Sequence, residues 1–295
     1  MKIKPLHTSE IDAFLSYCKE QRHTLDDSFL VDEELAQFVV NAENPTYIAV
    51  DEKEQIIGTA SLLVNEYLKR GNRSRFRIFH AASQEAYEGL FQAILPHAKG
   101  LDKLFLFVPE HNQTLRQAVE ALSFEIERYA YGLERTTAEV STPVIPEEYT
   151  LKTFAFGQDE ADYCTVRNAG FAKLSGSETP ITPEEVAKTR QREDTIEGGT
   201  FLLYHNKKPV GLIRTYKEEH NGAPHLGIGP LAIIPSYQGK GLGRQLLRVA
   251  LSFGHTIGLQ NALLSVNAEN EHATKLYMDE GFTKAIAFIC YQKQL

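Results

Sequence analysis

The fold of this chain is decided by the stretch Leu231-Ala-Ile-Ile-Pro-Ser-Tyr-Gln-Gly-Lys-Gly-Leu-Gly-Arg244. An apolar run ends at Pro235, a glycine-rich turn follows, and an amphipathic run begins at Leu242, which predicts a strand, a loop and a helix. Glycines let backbone N–H groups approach a ligand with no Cβ atom in the way. Because these N–H groups lie at the positive end of a helix, the loop suits a phosphate or a pyrophosphate.

Two common nucleotide-binding motifs do not fit this loop. A Rossmann fingerprint requires the spacing G-x-G-x-x-G, whereas Gly239, Gly241 and Gly243 follow the spacing G-x-G-x-G. A P-loop requires a lysine and then a serine or threonine after its last glycine, whereas Arg244 follows Gly243. A glycine-rich turn alone is a weak sign of a phosphate site, so the surrounding sequence has to decide.

A second motif downstream makes the loop more specific. Gln238 begins the pattern Q-x-x-G-x-G after a strand ending in L-x-I-x-P, and Asn270–Phe282 follows the pattern N-x-x-A-x-x-x-Y-x-x-x-G-F. In this order and at this spacing, the two motifs resemble those of the GNAT superfamily of acyl-CoA N-acyltransferases. The resemblance implies an α/β (α+β) fold in which helices flank a mixed, mostly antiparallel sheet.

Composition limits the class of protein. The chain has 295 residues, of which 42% are hydrophobic and 24% charged, which is typical of a soluble globular protein of about two domains. It has neither a long apolar run nor a signal-peptide core after Met1, so we expect a cytoplasmic protein without a membrane partner. Its net charge of −8 disfavours nucleic acid as a partner.

The three cysteines, Cys18, Cys164 and Cys290, are widely spaced and form no CxxC motif. This spacing predicts reduced, buried thiols and favours neither a disulfide framework nor a zinc site. No metal site is therefore predicted for this chain.

The predicted elements occur twice along the chain. Gly58 and Gly211 hold the same place in the second strand of a hairpin, 153 residues apart (211 − 58). Asn112 and Asn270 each begin a helix near the end of their copy, 158 residues apart (270 − 112). A repeat of this length indicates a duplicated α/β unit and not a short solenoid repeat.

We therefore predict two tandem GNAT-like domains, at 1–138 and 148–295. The linker at 139–147 contains two prolines, which is typical of a connection between domains. This tandem arrangement is similar to that of mycothiol synthase.

The two copies differ where a cofactor and catalysis are expected. In place of the glycine loop the first copy retains only Gly89, and the carboxylates of Glu85 and Glu88 would repel a pyrophosphate. At the position of Tyr277 the first copy has Val119, which cannot donate a proton. We predict a catalytically silent first copy that serves as a scaffold and as part of the substrate cleft, or that binds another ligand.

The resemblance implies a binding site for acetyl-CoA in the second copy. The backbone of Leu231–Ile233 is expected to pair with the pantetheine arm, and an N–H there to polarise the thioester carbonyl and stabilise the oxyanion. The loop N–H groups are expected to bind the pyrophosphate, with Lys240 and Arg244 adding positive charge and Asn270 touching the pantetheine. The implied cofactor-binding residues are Leu231, Ala232, Ile233, Gln238, Gly239, Lys240, Gly241, Leu242, Gly243, Arg244, Asn270, Ala273 and Tyr277.

Each of these assignments has a simpler alternative. The alternative for Leu231–Ile233 is an ordinary core strand. The alternative for Lys240 and Arg244 is a solvated start of a helix, and the alternative for Asn270 is a helix cap with no contact to a ligand.

Two residues are candidates for proton transfer. The resemblance assigns Tyr277 as the acid that protonates the departing thiolate, and a phenol with an ordinary pKa of about 10 is an adequate acid once the thiolate has formed. An incoming ammonium must first lose a proton, and we name Glu219 because it is the middle residue of the cluster Glu218–His220. The alternatives are a core aromatic for Tyr277 and solvated charges for the cluster.

The sequence thus predicts an N-acetyltransferase that moves an acetyl group from acetyl-CoA to a primary amine of a small molecule or peptide, by direct attack in a ternary complex. The alternative is a non-enzymatic acyl-CoA-binding sensor or scaffold, which would bind the cofactor without transferring its acetyl group. The acceptor, the acyl chain length and the oligomeric state stay open.

Overall fold

The computed structural model describes residues 1–220 and 222–295, and its contacts divide the chain into two compact units. Unit 1 consists of Met1–Ala130 together with Ile286–Leu295, and unit 2 consists of Tyr131–Ala285. Within the described residues, no helix has the length and apolar character needed to cross a membrane.

Unit 1 contains a sheet flanked by helices. Its strands are Lys2–Pro5 (β1), Thr46–Val50 (β2), Ile56–Leu63 (β3), Arg73–Ala81 (β4), Lys103–Pro109 (β5) and most of Thr283–Gln294 (β12). Its helices are Ile11–Gln21 (α1), Asp32–Ala36 (α2), Glu66–Arg70 (α3), Gln84–Ile94 (α4) and Gln113–Ala121 (α5). The strand order is β1-β2-β3-β4-β5-β12, and among these pairs only β4 and β5 run parallel.

Unit 2 repeats this plan. The strand Glu125–Thr136 (β6) runs into it from unit 1, and its other strands are Tyr149–Thr153 (β7), Thr195–His205 (β8), Lys208–His220 (β9), Ala223–Ile233 (β10) and Asn261–Asn267 (β11). Its helices are Glu160–Phe171 (α6), Pro183–Lys188 (α7), Leu242–Thr256 (α8) and Glu271–Asp279 (α9). The strand order is β6-β11-β10-β9-β8-β7, with β10 and β11 parallel and β7 to β10 antiparallel. The predicted mixed, mostly antiparallel sheet flanked by helices is confirmed.

Two hydrophobic clusters hold the sheet of unit 2 between its helices. The side that faces α8 and α9 is packed with aliphatic side chains such as Leu226, Leu246 and Leu264, whereas the side that faces α6 includes Leu212 and Ala232. A register shift between Ile228 and Leu231 interrupts the alternation of β10, so Leu226 and Ile233 pack in the same cluster although they lie seven residues apart.

Matching glycines make close contacts in both units. A Cβ atom on Gly58 would lie 3.1 Å from the Leu90 side chain of α4, and one on Gly211 would lie 3.0 Å from the Leu246 side chain of α8. In each unit the strand therefore needs a glycine because a helix packs directly on it.

The helices α5 and α9 begin and end in the same way. The side chain of Asn112 caps α5 by accepting the Leu115 N–H at 3.0 Å, and that of Asn270 caps α9 by accepting the Ala273 N–H at 3.3 Å. At the other end, Ser123 has a φ of 61°, where the second copy has a glycine. The structures of the two units thus share the duplication that the sequence shows.

The division by contacts differs from the linear boundaries predicted at 1–138 and 148–295. Each copy was expected to keep its own last strand. In the structure, β12 pairs with β5 over seven residues, from Phe288 opposite Pro109 to Gln294 opposite Lys103, and so completes unit 1. The second half of β6 lies in unit 2, where it borders β11. The alternation of residues in a strand does not specify its neighbour, so the sequence pattern could not show this exchange.

Candidate active site

The strands β10 and β11 separate within unit 2. Their parallel pairing consists of Leu226 with Ala262 and Gly227 with Leu263, although β10 continues to Ile233 and β11 to Asn267. We call the last of these pairs, Gly227 with Leu263, the vertex. Past the vertex, the edge of β10 that faces β11 has backbone N–H and C=O groups outside the sheet ladder. On its other edge, β10 stays paired with β9 up to Ile233. An extended chain can therefore enter the opening and pair with β10 as an added strand would.

The glycine loop lies at the open end of this separation. Gly239 has a φ of 75° and Gly241 a φ of 78°, which is the left-handed region that favours glycine. A Cβ atom on either residue would have no neighbour within 4 Å, so the space beside the loop is open. Gly241 is the N-cap of α8 and no side chain caps this helix, so its first N–H groups are available to an anion.

Side chains of the loop hold its shape. The side-chain amide of Gln238 donates to the carbonyl oxygen of Ile233 at 2.9 Å, which closes the turn between β10 and the loop. The ammonium of Lys240 lies 4.9 Å from the centre of the Tyr237 ring. Gln238 is thus occupied by the protein itself, whereas Lys240 lies exposed beside the loop.

Arg244 forms ion pairs with two carboxylates at the C-terminal end of α9. Its guanidinium lies 3.1 Å from Asp279 and 3.1 Å from Glu280. Glu280 is buried and also binds Arg248 through two hydrogen bonds of 2.8 Å. This ion-pair network ties α8 to α9 and does not favour the predicted direct role of Arg244 in binding a pyrophosphate.

Most of the other predicted cofactor residues lie in one cluster. Ile233, Leu242 and Tyr277 belong to the hydrophobic cluster under α8, with Leu231 and Ala273 packed against it. Gly243 lies beside this cluster, since a Cβ on it would be 3.9 Å from Ile233. The structure thus brings the strand end, the start of α8 and the middle of α9 together, whereas Ala232 faces α6.

Tyr277 lies on α9 with its ring against Phe282, with ring centres 5.9 Å apart. Its side chain is 8% exposed, and burial raises the pKa of the phenol to about 12. Among the described residues, none forms a hydrogen bond with its hydroxyl group. The phenol therefore keeps its proton at any physiological pH and has that proton available for a ligand.

Glu219 lies away from the cluster that contains Ile233, Leu242 and Tyr277. It is exposed and pairs with Pro224 near the start of β10, whereas Leu231 pairs with Ile213. Six residues separate the two positions along β9 (219 − 213), which corresponds to about 20 Å. This placement does not support Glu219 as the residue that takes a proton from the amine.

The residue that covers Gly227, where β10 and β11 separate, is Tyr216, which no sequence motif indicates. Tyr216 pairs with Gly227, and a Cβ on Gly227 would lie 2.3 Å from the Tyr216 ring. The ring therefore fills the space that a side chain at Gly227 would occupy. Burial, and then the charge of Glu218, raise the pKa of Tyr216, and Glu218 also forms a hydrogen bond with it. Only the cross-strand register reveals this arrangement.

The corresponding opening in unit 1 is filled by side chains. The pairing of β4 with β5 ends at Arg75 opposite Phe105. The Arg75 guanidinium lies 4.7 Å from the centre of the Phe29 ring and 4.8 Å from that of Phe107. The next residue on the same face, Arg77, donates to the carbonyl oxygen of Phe29 at 3.2 Å. This stack of cationic and aromatic side chains lies just past the point where β4 and β5 separate.

The helix that follows the opening in unit 1 also differs. The hydroxyl of Ser83 caps α4 by accepting the Ala86 N–H at 3.3 Å. Gly89 lies inside α4, where a Cβ would be 2.2 Å from Ile3, so this glycine serves packing and is not part of a loop.

One known family matches most of unit 2. Residues 170–282 match the model of the acetyltransferase (GNAT) family. The matched residues include the separated strands, the glycine loop and Tyr277, so the resemblance of these motifs to the family is confirmed.

Curated relatives match part of the chain. A mycothiol acetyltransferase of Pseudarthrobacter chlorophenolicus is 27% identical over 197 residues, which is 64% of this chain and 60% of that protein. The chain thus spans about 60% of the length of the curated relatives it matches.

Solved GNAT structures match nearly the whole chain. A GCN5-related N-acetyltransferase from Sphaerobacter thermophilus has a TM-score of 0.71 at 16% identity, covering 99% of this chain and 95% of that one. A tandem GNAT protein from the clavulanic acid biosynthesis pathway has a TM-score of 0.70 at 13% identity, covering 99% and 98%. At such identities the likeness concerns the fold, and it confirms the predicted tandem GNAT architecture.

Proposed function

We propose that this chain is an N-acetyltransferase that moves the acetyl group of acetyl-CoA to a primary amine, and that unit 2 holds the cofactor. The observation that carries this proposal is the separation of β10 from β11 past Gly227, with the uncapped start of α8 at its open end. The match of residues 170–282 to an acetyltransferase family and the names of the curated relatives support it.

The residues around this opening fit acetyl-CoA. The loop at Gly239 and Gly241 offers N–H groups and open space to a pyrophosphate, and the free edge of β10 offers backbone groups to the amides of the pantetheine arm. Lys240 adds positive charge beside the loop. Arg244 acts through its ion pairs, by fixing the position of α8 against α9.

Residues of unit 2 promote transfer in a ternary complex. A backbone N–H of β10 near Leu231 stabilises the negative charge that develops on the carbonyl oxygen when the amine attacks. Tyr277 then gives its proton to the departing sulfur. Its pKa of about 12 is higher than that of an ordinary thiol, so in water the thiolate would not hold this proton. The same buried surroundings destabilise a thiolate as they do a phenolate, and this raises the pKa of the departing thiol and helps the transfer.

Unit 1 serves as a scaffold without a cofactor site of its own in this proposal. Three features support this role: the Ser83 cap on α4, the packing of Gly89 against Ile3, and the side chains of Arg75 and Phe107 beside the strand opening.

Calorimetry with acetyl-CoA tests the proposal, using the intact chain and its Gly241→Glu variant. We expect one site per chain, lost in the variant because a carboxylate replaces open space at the start of α8. Two sites would contradict the silent role of unit 1, and the absence of binding would overturn the enzymatic proposal. Binding without transfer to any primary amine would favour an acyl-CoA sensor or scaffold.

A further inference from the structure

The strand β10 has a bulge between the vertex and Leu231. Its pairing with β9 shifts register there, so that Gly229 and Pro230 together lie opposite Arg214. The residues Gly229–Leu231 are partly exposed, whereas the strand is buried directly before and after them. A Cβ atom on Gly229 would have no neighbour within 4 Å. The bulge therefore leaves open space beside the residue at which acetyl transfer is proposed.

The two faces of β10 at this place differ in what they offer to the reactants. Leu231 and Ile233 pack with the hydrophobic cluster under α8, which also contains Tyr277, so this face holds the proton donor for the departing sulfur. Ala232 faces the other way, toward α6. A nucleophile attacks a carbonyl carbon from above or below its plane. Because the first face is closed by the helices, the amine is placed on the face that Ala232 shares.

Arg214 lies on this second face. Leu212 pairs with Ala232 and packs toward α6 as well, and side chains alternate along β9, so Arg214 points to the same side as Leu212. Arg214 is one residue beyond the partner of Leu231, which places the two Cα atoms about 6 Å apart. Arg214 is thus adjacent to the proposed site of transfer, unlike Glu219.

The guanidinium of Arg214 has hydrogen-bond donors to spare. It lies 4.9 Å from the centre of the Tyr216 ring, and the side chain is 16% exposed. Its one hydrogen bond with a described residue is a long one of 3.4 Å, from Nη2 to Asp194. Neither Nε nor Nη1 is buried without a partner, so both are accessible. Stacking on Tyr216 therefore holds a planar fork of N–H groups, most of which are open to a ligand.

The positive charge of Arg214 is only partly balanced. The carboxylate of Asp194 is shared, since it also lies 3.1 Å from Arg192. The next carboxylate on this face of β9 is that of Glu218, whose Cα lies about 13 Å from that of Arg214 and which interacts with Tyr216. Two guanidiniums that share one carboxylate, one of them largely buried, favour an anionic ligand beside Arg214.

We infer that the acceptor carries a carboxylate, which Arg214 binds while the amine attacks the acetyl group beside Leu231. The substrate class is a small amino acid whose carboxylate lies a few bonds from its primary amine. A planar carboxylate matches the guanidinium fork through two parallel hydrogen bonds, so Arg214 both selects and orients the acceptor. Arg214 stays charged throughout and exchanges no proton. This inference rests on the proposed function and adds to it the acceptor class and the residue that recognises it.

Matched acceptors test the inference on the full chain with saturating acetyl-CoA. β-Alanine and γ-aminobutyrate carry a carboxylate at two distances from the amine, and their amides have the same length without the charge. Arg214→Gln removes the cation, whereas Arg214→Lys keeps the charge and loses the fork. Arg192→Gln alters the other partner of Asp194 and is the matched control.

We expect the unchanged chain to use at least one of the two acids with a kcat/KM about tenfold to 100-fold above that of its amide, because only the acid forms a charge-assisted pair. Arg214→Gln should lose this preference through a higher acceptor KM, while its activity on the amide stays within about twofold. Arg214→Lys should retain part of the preference and Arg192→Gln all of it. Equal use of acid and amide by the unchanged chain, or equal loss of both in Arg214→Gln, would overturn the inference.

A second donor shows which reactant carries the carboxylate. Succinyl-CoA has one on its acyl group, and β-alaninamide has none. We expect Arg214→Gln to impair acetylation of the acids and to leave any transfer from succinyl-CoA to β-alaninamide unchanged. The reverse result would assign Arg214 to the acyl group and remove it from the acceptor site.

Calorimetry separates this inference from the proposed function. Arg214→Gln is expected to bind acetyl-CoA within about twofold of the unchanged chain, because Arg214 faces α6 and not the glycine loop at the start of α8. Failure of the unchanged chain to bind acetyl-CoA would overturn the function itself. Normal binding, with transfer to the amides and no preference for the acids, would overturn only the carboxylate site.

Discussion

The side-chain amide of Gln238 lies 2.9 Å from the carbonyl oxygen of Ile233. This hydrogen bond joins the last residue of β10 to the first residue of the Q-x-x-G-x-G motif. The glutamine of the motif therefore shapes the loop, and the glycines that follow provide the N–H groups. The distinction matters because shape and direct contact respond differently to substitution.

The variant Gln238→Ala removes the bond that closes the turn. We expect the unfolding free energy to fall by about 1 kcal/mol, the usual contribution of one hydrogen bond, and acetyl-CoA affinity to fall several-fold because the loop N–H groups lose their alignment. Urea unfolding and calorimetry measure the two effects. Gln191→Ala, an exposed residue of unit 2, serves as the control, and unchanged affinity in Gln238→Ala would show that the loop keeps its shape without the bond.

The backbone conformation of Gly241 gives a second prediction. Alanine at its φ of 78° is strained by about 1 kcal/mol, and Gly258, at the far end of α8, has a φ of 83° with equally open space. Gly241→Ala and Gly258→Ala should therefore lose similar stability, but only Gly241→Ala should weaken acetyl-CoA binding. Equal loss of affinity in both variants would assign the effect to general destabilisation.

Removal of the Tyr277 hydroxyl tests its role as a proton donor. Because no described residue hydrogen-bonds to that hydroxyl, Tyr277→Phe should change stability little. We expect kcat to fall about tenfold to 100-fold while the dissociation constant of acetyl-CoA stays within twofold. Tyr163→Phe alters another buried phenol of unit 2 and is the matched control. Unchanged turnover in Tyr277→Phe would leave this tyrosine a purely structural role.

The pKa of Tyr277 also predicts a change in stability at alkaline pH. The folded pKa of about 12 exceeds the ordinary value of 10.0 for a tyrosine, so the folded protein holds the phenol proton more tightly than the unfolded chain does. This contribution is complete below pH 10 and is lost as the pH rises toward 12. Between pH 9 and pH 11 the unfolding free energy of the unchanged chain should therefore fall by about 1 kcal/mol more than that of Tyr277→Phe. Equal losses in the two proteins would mean that the phenol titrates normally.

The ion pairs of Glu280 predict a large and specific loss of stability. Its carboxylate is 5% exposed and binds both Arg244 and Arg248. Glu280→Gln leaves Arg248 without a carboxylate partner among the described residues and leaves Arg244 with Asp279 alone, so the unfolding free energy should fall by about 2 to 4 kcal/mol. Asp279→Asn alters an exposed partner of the same Arg244 and should cost less than about 1 kcal/mol. Similar losses in the two variants would show that burial of Glu280 adds nothing.

The motifs and the duplication could be predicted from the sequence because they depend on local rules. The caps of Asn112 and Asn270, the left-handed glycines of the loop, and the close helix contacts of Gly58 and Gly211 each follow from residue type and spacing. Local rules also predict the strand, the loop and the helix around the glycine motif.

The parts that escaped prediction depend on pairing between distant residues. Tyr216 is placed over Gly227 by the register of neighbouring strands, which no spacing within one strand reveals. Glu219 was chosen as the middle of a charged cluster, but the same register places it about 20 Å from Leu231 along the strand.

The exchange of final strands has a consequence for synthesis on the ribosome. Residues 1–130 are complete early, but their sheet gains its last strand only when β12 has been made, 164 residues later (294 − 130). At the usual rates of translation this interval is roughly 8 to 33 s, during which β5 presents an unpaired edge to other nascent chains. A chain cut between the two copies would leave that edge open permanently, so the copy without a glycine loop depends for its last strand on the copy that carries one.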